Sequence, residues 1–123
     1  MKRDRNDGYY LERIIEHCQR IGNFTKRFQG SVEKLEKDYA YQQAVTLSLI
    51  QIGENVKHLS ENLKREYSKI AWRNISDTRN FIVHDYDGLD CDIVWDVIVN
   101  DIPALKAYCI EIQNELEGKI KLF

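Results

Sequence analysis

Between Tyr41 and Leu63 the apolar residues Tyr41, Val45, Leu49, Ile52, Val56, Leu59 and Leu63 follow one another at steps of three or four. That spacing matches the helical turn and lays one apolar stripe along a continuous helix over 39–66, a stripe that other helices must cover. Val94, Val97, Ile98, Ile102, Leu105, Cys109, Ile112 and Leu116 repeat the pattern near the C-terminus. Tyr10, Ile14, Cys18, Ile21 and Phe24 support a first helix, and Ile75, Thr78, Phe81 and Ile82 a shorter one from Ile70 to His84. Six glycines and one proline in 123 residues leave little material for the tight turns of an all-β fold. The expected fold class is all-α: an up-and-down antiparallel bundle of four main helices plus a short one at 31–36. It would fill a single domain over 1–123 and could dimerise through its helix faces.

Breaks and caps agree with that plan. Gly30-Ser31 interrupts the chain after the first helix, and Asp87-Gly88 is a turn signal. Asp90 suits an N-cap, with Asp92 favourable at the positive end of the helix that follows. Gly53 in mid-helix costs about 1 kcal/mol relative to alanine, which points to close helix packing. Pro103, inside the last helix, predicts a kink.

Hydrophobic residues are 43% of the chain, too many for a disordered segment. No apolar run reaches the roughly 20 residues of a membrane span. The charged start "MKRDRNDGYY" is not followed by the apolar stretch of a signal peptide, so a cytoplasmic location is expected. Three cysteines without CxxC spacing argue for reduced, partly buried thiols rather than disulfides or zinc. Residues 1–30 carry seven basic and four acidic side chains, residues 70–123 five basic and ten acidic. No broad basic face emerges, so contact with RNA would be local or shared with a second subunit.

The densest chemistry lies in "RNFIVHDY", residues 79–86. Arginine grips a phosphodiester through a charge-assisted fork, and histidine moves protons near neutrality. Together they suffice for metal-independent cleavage of RNA by internal 2′-hydroxyl attack. On a regular helix Arg79 and His84 diverge by about 140°, because each residue turns about 100°. Either the helix ends near His84, or two copies of the motif face each other across a dimer. Spacing alone favours a plain helix end whose Arg, His and Tyr cap carbonyls.

The motif is similar to the R-x4-H-x-Y signature of the HEPN superfamily, in particular the HepT-like toxins of HEPN/MNT toxin–antitoxin pairs. "IGEN" (Ile52 to Asn55), the tryptophan of "IAWRNI" and the later "DIVWDVIVNDIPAL" resemble the same family, over about Tyr10 to Leu116. "YSKIAW" lacks a proline often found before that tryptophan, and Asp85 stands where glutamate is also common. The resemblance implies a helical homodimer with its motifs gathered in an interface cleft. It implies a toxin with metal-independent ribonuclease activity, Arg79 and His84 catalytic, Asn80 supporting, and no cofactor. It further implies a nucleotidyltransferase antitoxin that transfers AMP from ATP to Tyr86. The added anion would fill the cleft, compete for Arg79 and repel RNA phosphate. The alternative of another class is a non-catalytic subunit that presents a substrate or surface to the nucleotidyltransferase.

Asp85, Asp87, Asp90 and Asp92 do not fit a calcium loop, since Val83 would have to be the first ligand. They read as solvated cap carboxylates. Glu54 lies off the main stripe; it is either a surface carboxylate or, if its helix sits beside the motif, a partner that fixes the Arg79 fork. His17 and His58 are isolated in sequence and receive no role. Trp72 and Trp95 read as packing residues.

Overall fold

The computed structural model describes residues 6–77 and 89–121, with side chains through 118. Helix α1 (Asp7–Arg27) is capped by Asn6, whose side chain accepts from the Tyr9 amide. The short α2 (Val32–Lys37) starts on Ser31, and α3 (Tyr39–His58) starts on Asp38. Then come α4 (Glu61–Glu66) on Ser60 and the five-residue α5 (Trp72–Ser76). After residue 88, α6 (Cys91–Asp96) runs through a π-helical turn, Val97–Asp101, into α7 (Ile102–Lys121). No strand occurs among the described residues. The molecule is an all-α bundle in which α1 packs against both α3 and α7 and the short α5 lies on α3.

Periodicity placed the core well. Ile14, Cys18, Ile21, Tyr41, Val45, Leu49, Ile52, Val56, Val94, Ile98, Ile102, Leu105, Cys109 and Ile112 are all buried in one cluster. Tyr41 is fully buried, and its hydroxyl is 2.9 Å from the Thr25 hydroxyl, so the ring carries its polar tip inside without leaving it unpaired. Asp90 caps α6 by accepting from the Ile93 amide at 3.3 Å, with Asp92 in the first turn. Cys18 and Cys109 are buried free thiols, and burial pushes both up to about 12, which keeps them unreactive.

Three expectations change. The helix drawn over 39–66 is two helices, broken where Leu59 is extended and Ser60 begins α4. The stripe continues unbroken because Leu59 and Leu63 stay buried across the break. Asp7 holds the corner, accepting from the Ser60 amide at 2.8 Å and the Ser60 hydroxyl at 2.6 Å. The helix expected from Ile70 starts at Trp72 and is described as helix only to Ser76; Thr78, Phe81 and Ile82 lie outside the described residues. The feature expected at Pro103 is the π turn just before it. Proline cannot donate, and its ring crowds the carbonyl four residues back, which is Val99 in the widened turn.

His17 is 3% exposed on α1, and its Nε2 lies 3.4 Å from an Arg13 guanidinium nitrogen. Its Nδ1 has no hydrogen-bond partner among the described residues. Burial first, then the charges of Arg13 and Arg20, hold the imidazole below its ordinary value of 6.5. The folded chain therefore keeps His17 neutral where the unfolded chain would take up a proton. Its contribution is intact above the unfolded value and is lost as pH falls below it. Urea unfolding followed from pH 8 down to 5.5 should show stability declining below about pH 6.5, and His17→Leu should flatten that decline. Parallel curves for the two proteins would exclude His17 as its source.

Candidate active site

The site is built from α5 outward. Trp72 is buried, and its indole Nε1–H donates to the Tyr67 carbonyl at 2.8 Å. The indole thus pins the start of α5 to the end of α4. At its other end α5 rests on α3 at Gly53. A Cβ on Gly53 would lie 3.3 Å from the Ser76 carbonyl oxygen and 3.4 Å from that of Ile75. The close packing expected of Gly53 is therefore found, and it lets the last turn of α5 approach the α3 backbone. The described part of this segment ends at Asp77, two residues before Arg79.

The motif itself, Arg79, Asn80, His84 and Tyr86 together with Asp85 and Asp87, lies outside the described residues. What the structure describes is the ground on either side of it. Glu54 follows Gly53 on α3, so its helix does sit beside the segment that leads into the motif. Its carboxylate is 3.4 Å from the Lys57 ammonium in a half-exposed pair, and a bond from Arg79 to it lies outside the described residues.

Two concave surfaces border α3. One is an apolar groove of about 540 Å³ between α3, α5 and the π turn, lined by Leu49, Ile52, Ile75, Val97, Ile102 and Leu105, with Asn74, Asp77 and Asp101 as its polar members. The other is a polar cleft of about 240 Å³ between the start of α1 and the end of α3. It brings together Tyr9, Tyr10, Arg13, Gln51, Glu54, Asn55 and His58. Tyr10 and His58 stack with ring centroids 5.0 Å apart and planes 16° apart, and Tyr9 meets Tyr10 edge-on at 5.1 Å. Sequence reading assigned His58 nothing. Tyr10 and His58 are 48 positions apart, and only the packing of α1 on α3 unites them. No group of three or more His, Cys, Asp or Glu among the described residues is arranged to hold a metal ion. No helix among them is long and apolar enough to cross a membrane.

A short-looped all-α bundle that carries R-x4-H-x-Y after a tryptophan-anchored helix defines a class, the HEPN-like helical proteins. Within it, the family model described as Ribonuclease HepT-like matches residues 14–112. The chain belongs to the HepT-like ribonuclease family. It is 35% identical over 104 residues to "Putative RNase TTE0752" of Caldanaerobacter subterraneus subsp. tengcongensis, covering 84% of this chain and 90% of that one. Over 110 residues it is 32% identical to "Putative RNase MJ0127" of Methanocaldococcus jannaschii, covering 89% of each chain. With "Probable ribonuclease HepT" of Thermococcus cleftensis it shares 36% identity over 106 residues, 86% of this chain and 93% of that one. No solved structure matches the chain.

Proposed function

We propose that the chain is the toxin of a toxin–antitoxin pair and cleaves RNA without a metal, through Arg79 and His84 of two chains gathered at a dimer cleft. The observation that carries this reading is the HepT-like match over residues 14–112, which spans the whole of "RNFIVHDY". The relatives named as ribonucleases support the choice of RNA as substrate.

In this reading Arg79 holds the scissile phosphodiester and His84 takes the proton of the adjacent 2′-hydroxyl. O2′ bonds to phosphorus, the P–O5′ bond breaks, and the departing 5′-oxygen receives a proton from the His84 of the other copy. The products are a 2′,3′-cyclic phosphate and a 5′-hydroxyl. Asn80 supports the phosphate, and Glu54 orients the Arg79 fork. The apolar groove beside α5 and the exposed Ile93 on α6 and Val99 on the π turn support association of two copies. A nucleotidyltransferase antitoxin silences the site by transferring AMP from ATP to Tyr86.

The test is incubation of unmodified protein with end-labelled RNA in EDTA. Cleavage that survives chelation and leaves cyclic-phosphate ends is the expected result. An RNA panel left intact, by a protein that the nucleotidyltransferase still modifies at Tyr86, would make the chain a non-catalytic presenting subunit instead.

A further inference from the structure

The polar cleft between α1 and α3 has a composition that phosphate capture does not explain. Its cations, Arg13 and the neighbouring Lys57, are offset by Glu54, and Arg13 is itself paired with Glu16 at 3.1 Å. What the cleft offers in excess is ring surface and amides. Tyr10 covers one face of the His58 imidazole while His58 remains exposed, so a stacked aromatic platform is open to solvent. Tyr9, 38% exposed, supplies a second ring at right angles to Tyr10. The Gln51 side chain lines the same cleft and can meet the polar edge of a bound ring.

We infer that this cleft binds one unpaired RNA base, stacked on the Tyr10–His58 platform. The inference rests on the ribonuclease reading for its substrate and extends it to a subsite. A cleft of about 240 Å³ admits a single splayed base and excludes a duplex, whose bases are stacked inside. Base–aromatic stacking tolerates any base, so the subsite selects for single-strandedness rather than sequence.

The experiment is equilibrium binding of a fluorescein-labelled, uncleavable 2′-O-methyl RNA hexamer to the full unmodified chain, read by anisotropy. His58→Ala should weaken binding by at least about fivefold, from the loss of one stacked base. His58→Phe, which keeps a flat ring, should restore it to within about twofold, and a fully paired duplex should compete poorly. Circular dichroism confirms that each variant keeps its helices. If His58→Ala binds as tightly as the parent, or if phenylalanine fails to restore what alanine removes, the subsite is wrong. Cleavage of RNA by a His58→Ala protein with unaltered binding would overturn the subsite and leave the ribonuclease standing. Binding that follows ring content in a protein that cuts nothing would do the reverse.

Discussion

Replacing His84 with alanine should slow RNA cleavage by two to four orders of magnitude, the usual worth of a positioned general acid–base group. Growth inhibition on expression should vanish with it. The loss is expected in the cleavage step, since Arg79 is left to bind the phosphodiester. Arg79→Ala should instead lose both binding and cleavage, because the guanidinium grips the ground state and the transition state alike. Single-turnover assays at saturating protein separate the two cases. Helical content and melting should be unchanged for His84→Ala. A variant that retains cleavage within threefold would remove His84 from the mechanism.

The largest effect on stability is expected at Trp72. Truncation to alanine empties a buried indole site and should cost about 3–5 kcal/mol. Such a loss is a large part of the roughly 5–15 kcal/mol that holds a domain of this size together. Trp72→Phe keeps most of the apolar volume but deprives the Tyr67 carbonyl of its 2.8 Å donor, a loss of about 1–3 kcal/mol. Urea midpoints for the two variants measure the packing and the hydrogen bond separately. Equal midpoints would mean that the hydrogen bond carries the anchor; a cost under 1 kcal/mol for alanine would mean that α5 is held elsewhere. Because α5 delivers the chain to the motif, the alanine variant should also lose nuclease activity at temperatures where it is still largely folded.

The helical stripes were legible because a residue's neighbours at three and four positions are its neighbours in space, and burial acts on that pattern directly. The same logic identified the cap at Asp90, since a capping oxygen bonds an amide two or three residues away; the caps at Ser31 and Asp38 emerged only in the fold. It could not see that the stripe of 39–66 breaks at Leu59. An apolar pattern reports which residues are buried, not whether the backbone between them stays helical, and the two bonds from Asp7 that hold Ser60 come from 53 residues away. His17 was overlooked for a similar reason. A histidine isolated in sequence gives no sign that its side chain is only 3% exposed in the fold. Arg79, Asn80, His84 and Tyr86 were legible as a motif because residue identity and short spacing define it.

The order of amino acids, then, set the helical class, the buried stripes, the caps and the chemistry of "RNFIVHDY", because each depends on short-range spacing or on the identity of a side chain. Tertiary packing decided the rest. It made Gly53 the seat of α5 by bringing two backbones within a Cβ of each other. It buried one histidine, His17, and stacked another, His58, on Tyr10 to make a cleft. Those relations join residues tens of positions apart, and no local spacing rule reaches that far along the chain.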